Sequence, residues 1–247
     1  MLSGLLREFL ITESNIDKTK KGGFRPFLLK ETMKDFYTYC IWDFNGTILD
    51  DVELGMNAVN KLLAERGIPT IPSKEAYRKK FDFPIVDYYR ELGFNFDTDP
   101  YEKLAKLWVD LYMKDLDTAK MYGDVPAALD FFDEVGVVQS VISASERKML
   151  TSQLEGLGID SRFEEIMGID NIYGDSKLAL ARDWRARHPN ARVMFIGDTT
   201  HDCETAEILG ADCFIVCAGH QCRERFDERR MKIFDSLGEL VDHLKTL

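Results

Sequence analysis

Asp43-Phe44-Asn45-Gly46-Thr47 follows directly on a β-prone run. A carboxylate placed where a strand ends can attack phosphorus and form an aspartyl phosphate. Gly46 allows a tight turn, so the backbone N–H groups of Phe44 and Asn45 can face phosphate oxygens. Taken alone, the pentapeptide is equally an ordinary strand-to-loop turn. A second signal is Ser143, closing the run Val-Ile-Ser. Its hydroxyl and the amide of Ala144 can donate to a phosphate where a helix begins. Ser143 or Ser145 can also simply cap a helix starting at Glu146. The third signal is Lys177, in Gly174-Asp175-Ser176-Lys177. A lysine opening a helix opposes the macrodipole, which an anion or carboxylate opposite it relieves; a solvated surface lysine is the plain alternative. The fourth is Gly197-Asp198-Thr199-Thr200-His201-Asp202. Asp198 and Asp202, four apart at a strand-to-helix junction, can both face a hard cation. Mg²⁺ prefers a few carboxylates, waters and a phosphate oxygen. An N-cap aspartate with a further acid in the first turn has the same pattern. His201 reads as exposed or structural.

These residues lie far apart in sequence, so a fold must gather them. Five β-prone runs stand out: Tyr37 to Trp42, Val137 to Ile142, Phe163 to Ile169, Arg192 to Ile196 and Asp212 to Val216. Helical periodicity covers 146–156, 177–187 and 202–209. Alternating strands and helices predict an α/β fold with a Rossmann-like, doubly wound parallel sheet. Ligands bind beyond the carboxyl ends of such strands, where the four signals sit. The interval after the first strand is different. Val52, Met56, Val59, Leu62 and Leu63 mark one helical face, and Leu104, Leu107, Trp108, Leu111 and Tyr112 another. Breakers lie between them at Gly67, Pro69, Pro72, Pro84 and Gly93. The predicted organisation is an N-terminal extension (1–32), a core (33–51 and 123–247) and a small all-α domain inserted after the first strand (52–122). The chain enters and leaves the insert near Asp50-Asp51 and Met121-Gly123.

Composition narrows the partners. The 247 residues are 45 % apolar and 30 % charged, enough for a packed core. The net charge is −11, so bulk attraction to nucleic acid or an anionic membrane is disfavoured. A small anionic substrate must then be held by local cations or a metal. The five cysteines form no CxxC pair and read as reduced thiols of a cytoplasmic protein. Cys213, Cys217 and Cys222 lie near His220, but their spacing fits no common zinc pattern. No apolar run approaches a membrane span, and Arg7 and Glu8 interrupt the N-terminal apolar stretch. Monomer and homodimer remain equally open.

In order and spacing the four signals resemble the haloacid dehalogenase superfamily, specifically its phosphoglycolate-phosphatase-like branch. The resemblance runs from about residue 37 to the end. The insert looks like the family's small helical cap. It implies that Asp43 is the nucleophile of a Mg²⁺-dependent phosphatase acting on a small phosphorylated metabolite. It also implies that Asp43, the Asn45 backbone carbonyl and Asp198 bind Mg²⁺, with Asp202 supporting. Ser143 and Lys177 would hold the phosphoryl group.

One position departs from the family pattern. Its phosphatases place a second aspartate two residues after the nucleophile, to protonate the leaving alcohol and later deprotonate water. Here that residue is Asn45. An amide can hydrogen-bond a leaving oxygen but cannot exchange a proton with it. Losing general acid–base catalysis costs roughly 10²–10⁴ in rate. Acyl and aryl phosphates, whose leaving groups need little protonation, suffer least. The alternatives are a weakly active relative that binds a phosphorylated ligand or partner, and a phosphotransferase. The stretch Arg78, Lys79, Lys80, Phe81-Asp82-Phe83-Pro84 could contact a sugar or carboxylate, or be solvated charge and core.

Overall fold

The computed structural model describes residues 33–173 and 176–247. The expected N-terminal extension, 1–32, lies outside the described residues, as do Gly174 and Asp175. In chain order the first half holds β1 (Tyr39–Trp42), β2 (Leu49–Asp50), α1 (Val52–Glu65), α2 (Lys74–Lys80), α3 (Ile85–Leu92), α4 (Tyr101–Lys114), β3 (Lys120–Met121) and α5 (Val125–Val135). The second half holds β4 (Val138–Glu146), α6 (Arg147–Leu157), β5 (Glu165–Ile169), α7 (Leu178–Arg187), β6 (Val193–Gly197), α8 (Thr200–Leu209), β7 (Asp212–Val216), β8 (Lys232–Phe234) and α9 (Leu237–Leu244).

Six strands make one sheet in the order β5-β4-β1-β6-β7-β8, and every pairing in it is parallel. Buried parallel strands need apolar side chains on both faces, and β1 supplies them. Cys40 and Trp42 enter the layer under α5, α6 and α9 with Phe132, Phe214 and Leu240. Ile41 enters the layer under α7 and α8 with Trp184, Phe195 and Leu209. Trp42 is fully buried, and its indole N–H donates to Gln139 Oε1 at 3.1 Å, so its polar edge is not stranded. On either side of β1 the chain order runs outward in opposite directions, through β4 and through β6. That switch in strand order opens a crevice at the carboxyl end of β1.

Helices α1 to α4 form a third apolar cluster, with Val59, Leu62, Leu63, Tyr77, Tyr89 and Leu104 buried among one another. Neither α2 nor α3 was legible in the periodicity; they span seven and eight residues, two turns each. Ser73 caps α2 by accepting from Ala76 N at 3.1 Å. The segments joining the cluster to the sheet pair as a two-residue antiparallel ribbon, Leu49 with Met121 and Asp50 with Lys120. β8 was also unforeseen. β4 continues past Ile142 to Glu146, with a register shift after Ile142. Gly168 permits this close approach to β5: a Cβ there would lie 2.7 Å from Ser145 O.

Candidate active site

Asp43 is the first residue beyond β1, and its N–H still donates to Ile196 O at 2.8 Å. The loop then folds on itself: Ile48 and Leu49 N–H both donate to Phe44 O, and Gly46 N–H to Leu49 O. Gly46 has φ +73°, and a Cβ there would sit 2.3 Å from Asp198 Oδ2. No other residue type meets both demands.

Lys177, just ahead of α7, is 2 % exposed. Its ammonium bonds Asp43 Oδ1, pairs with Asp202 Oδ1 at 2.6 Å and donates to Ile142 O at 3.3 Å. The surface alternative therefore fails for this lysine, since two carboxylates face it. Burial alone would lower its pKa; the two carboxylates outweigh that and raise it.

Asp198 directly follows β6 and is fully buried. Thr47 Oγ1 donates to Oδ1 at 3.0 Å, and His220 N–H donates to Oδ2 at 2.6 Å. Burial, with help from Asp202 and against His220, pushes its pKa up to about 6. Asp202 accepts at Oδ2 from Asp198 N, Thr199 N and Thr199 Oγ1, at 3.0, 2.8 and 2.7 Å. With Thr199 it closes a capping box on α8. Burial opposes its charge, yet Lys177 and these donors hold its pKa below the usual carboxylate range. The N-cap of α8 is thus Thr199 rather than an aspartate, and Asp202 is the acid of its first turn. Asp43, Asp198 and Asp202 bring carboxylate oxygens within 4.8 Å of one another, all buried. Burial and the other two carboxylates drive Asp43's pKa well up, against the pull of Lys177.

Ser143 is buried and lies, with Ala144, on the wall of the same cavity. Neither Ser143 nor Ser145 caps α6. Glu146 does, accepting from Lys148 and Met149 N–H at 3.0 and 2.9 Å. Beyond the register shift, Ser145 Oγ donates to Asn45 Oδ1 at 2.6 Å. Phe44 has a fully buried side chain in the core, so only its backbone is offered to the site. His201 is buried rather than exposed. It contacts Glu204 at 3.1 Å and stacks on Phe83.

A cluster that the sequence reading missed surrounds Asn45. Asn45 Nδ2 donates to Asp51 Oδ2 at 2.8 Å and to Tyr112 OH at 3.1 Å. Asp51 also accepts from Gly46 N–H at 2.9 Å and Tyr112 OH at 2.9 Å, and faces His220 Nε2 at 3.2 Å. Asp51, expected at the mouth of the insert, is 2 % exposed. His220 Nδ1 contacts Tyr77 OH at 2.9 Å. Burial lowers the His220 pKa, but Asp51 more than offsets it and pushes it up to about 9. In the sequence His220 stood out only beside three cysteines. No metal-ligand cluster includes those cysteines among the described residues.

These groups line a cavity of ≈ 140 Å³ between the strand ends and α1 to α4. Phe81 and Phe83 reach it; Arg78, Lys79 and Lys80 do not. Arg78 instead bonds Ala218 O, and Lys79 pairs with Glu75 on the surface. No helix among the described residues is long and apolar enough to cross a membrane.

A parallel Rossmann-like sheet with a carboxylate just past its central strand, a lysine against it and an acidic pair one strand away is a hydrolase architecture. The haloacid dehalogenase-like hydrolase family model matches residues 40–216. Phosphoglycolate phosphatase of Pseudomonas syringae pv. tomato is 24 % identical over 210 residues, covering 81 % of this chain and 77 % of its own. Among solved structures, a haloacid dehalogenase-like family hydrolase from Streptococcus pneumoniae superposes with TM-score 0.72 at 17 % identity, covering 85 % of this chain and 99 % of that one. The protein tyrosine kinase A of Mycobacterium tuberculosis shares the fold with TM-score 0.70 at 20 % identity, covering 85 % and 99 %. The chain belongs to the haloacid dehalogenase-like hydrolase family, in its phosphatase-like branch.

Proposed function

We propose that this protein is a Mg²⁺-dependent phosphatase that releases phosphate from a small substrate through an aspartyl phosphate on Asp43. The observation that carries this reading is Lys177, buried against Asp43 and Asp202 beside Asp198. The three clustered carboxylates offer only oxygen donors, and Lys177 pairs with two of them, Asp43 and Asp202, which leaves a negative site that suits a hard cation. Asp43, the Asn45 carbonyl and Asp198 are the residues to hold it. Asp202, both of whose oxygens have protein partners, supports through its charge. Mg²⁺, when bound, neutralises charge on the transferring phosphoryl group.

The chain's own residues do the rest. Lys177 offsets repulsion between Asp43 and an incoming anion and, with the Ser143 hydroxyl and the Ala144 amide, grips the phosphoryl oxygens. The amides of Phe44 and Asn45 face the same oxygens. Residues 52–122 act as a cap over Asp43, and its closure excludes water. All five cysteines are free, which supports a cytoplasmic setting.

Asn45 favours a second reading, a phosphate-binding relative with slow turnover. Its amide donates to Asp51 and Tyr112 and accepts from Ser145. It thus has no proton to exchange with a leaving group. Release of p-nitrophenol from its phosphate decides between them. Mg²⁺-dependent release that disappears in Asp43→Asn supports the phosphatase. Undiminished release in Asp43→Asn, or none from a panel of phosphorylated metabolites, refutes it.

A further inference from the structure

The cavity wall away from the carboxylates specifies what the phosphate is attached to, given the phosphatase reading above. Tyr77, Phe81, Tyr88, Trp108 and Tyr112 line it from the insert, and Tyr173 from the segment after β5. Trp108 stacks on Tyr112 with centroids 4.9 Å apart, and Phe81 on Tyr77 with centroids 5.3 Å apart. Of these, Trp108 and Phe81 keep part of their surface exposed, while Tyr77, Tyr88 and Tyr112 are buried.

Cations are scarce there. Among the described residues lining the cavity only Lys177 and His220 carry positive charge. Lys177 is committed to Asp43 and Asp202, and His220 to Asp51 and Tyr77. The remaining charged lining residues, Asp43, Asp51 and Glu146, are acidic. A substrate carboxylate would enter without a partner, losing hydration and facing like charge. An aromatic ring would meet neither cost.

A separate observation concerns the leaving group. Asn45 stands where a proton donor is needed, and both of its N–H donors are committed to protein, to Asp51 and Tyr112. A phenol, with a pKa of about 10, departs as phenolate without that proton; an alkoxide does not.

We propose that the substrate is an aryl phosphate monoester, with the phosphate on a phenolic oxygen and the ring against Trp108 and Phe81. An Asp43 carboxylate oxygen bonds to phosphorus as the phosphorus–aryl oxygen bond breaks. The phenolate leaves with that electron pair and takes its proton from water. Water then hydrolyses the acyl phosphate, returning the Asp43 carboxylate and inorganic phosphate.

The test compares phenyl phosphate, ethyl phosphate and 2-phosphoglycolate at saturating Mg²⁺, with phenylphosphonate and methylphosphonate as ligands that cannot turn over. Phenyl phosphate should show a KM at least about tenfold below the other two, since even small apolar groups in a fitted pocket are worth tenfold or more. Trp108→Leu and Phe81→Leu should each narrow the phenyl-to-ethyl ratio in kcat/KM. Phenylphosphonate should raise the melting temperature of the native chain more than methylphosphonate does. Preference for 2-phosphoglycolate, or a ratio unchanged in two folded variants, overturns the aryl assignment and leaves the phosphatase reading intact. If nothing is hydrolysed, the phosphatase reading falls, and the phosphonates decide the ring: a larger shift with phenylphosphonate upholds ring recognition, and equal shifts overturn it.

Discussion

Asn45→Asp exchanges an amide for a carboxylate at the centre of the polar cluster beside Asp43. The amide donates to Asp51 Oδ2 at 2.8 Å; an ionised carboxylate cannot, and the contact turns repulsive. With an effective dielectric of about 20, two charges at that distance repel by about 6 kcal/mol. Partial exposure of Asn45 and a protonated His220 beside Asp51 reduce this, leaving a net cost of roughly 2–4 kcal/mol. The same repulsion raises the pKa of the new carboxyl, as it does wherever two carboxylates share a site. While protonated, the new group donates to Asp51 as the amide did, and it can also protonate a leaving alcohol. Its folded pKa lies above its unfolded one, so stability is retained at low pH and lost as pH rises through the folded value. Initial rates with ethyl and phenyl phosphate and melting temperatures should be measured from pH 5 to 9. Asn45→Asp should raise turnover of ethyl phosphate by up to the roughly 10²–10⁴ of general acid–base catalysis, falling away at high pH. Phenyl phosphate should gain much less. The melting temperature should drop at high pH, and Asp51→Asn in the same chain should restore it. Peptide mapping must first confirm residue 45, because Asn45-Gly46 is a deamidation-prone pair. The reasoning is refuted if verified native protein already cleaves ethyl phosphate at an ordinary enzymatic rate and the substitution adds nothing.

Mg²⁺ should raise the melting temperature through the Asp43, Asp198 and Asp202 cluster, and Asp198→Asn should remove most of that shift. Because burial pushes Asp198 up to about 6, metal-free protein should lose stability as pH rises from near 3.8 through that value, and the Mg²⁺ shift should grow over the same window; a pH-independent shift contradicts the site. His220, pushed up to about 9, should contribute on the order of 3 kcal/mol below about pH 6.5 and lose it as pH rises through 9. Urea titrations at pH 6 and 10 should show this loss in the native chain and not in His220→Gln. Gly46→Ala forces both a positive φ and a Cβ against Asp198, so it should cost roughly 1–3 kcal/mol and abolish the Mg²⁺ shift; an unchanged shift in the folded variant counts against the tight loop.

Five of the six parallel strands were readable because each is a local run of β-prone residues. Asp43, Ser143, Lys177, Asp198 and Asp202 each had a plain structural alternative when read locally, and it was their order and spacing together, through the resemblance to a known family, that singled them out. α2, α3 and β8 escaped because segments this short carry too few periods to stand out, and they are held by packing against neighbours. What the sequence could not reveal is which charges meet. Lys177 is 134 residues from Asp43, and His220 is 169 residues from Asp51. The aromatic residues of the insert likewise look like core until the fold turns some of their faces toward Asp43. A side chain's ionisation depends on the charges and the water within a few ångströms of it. Residues distant in the chain supply those charges and exclude that water here, so only the tertiary structure decided how the site is charged and which side chains line its cavity.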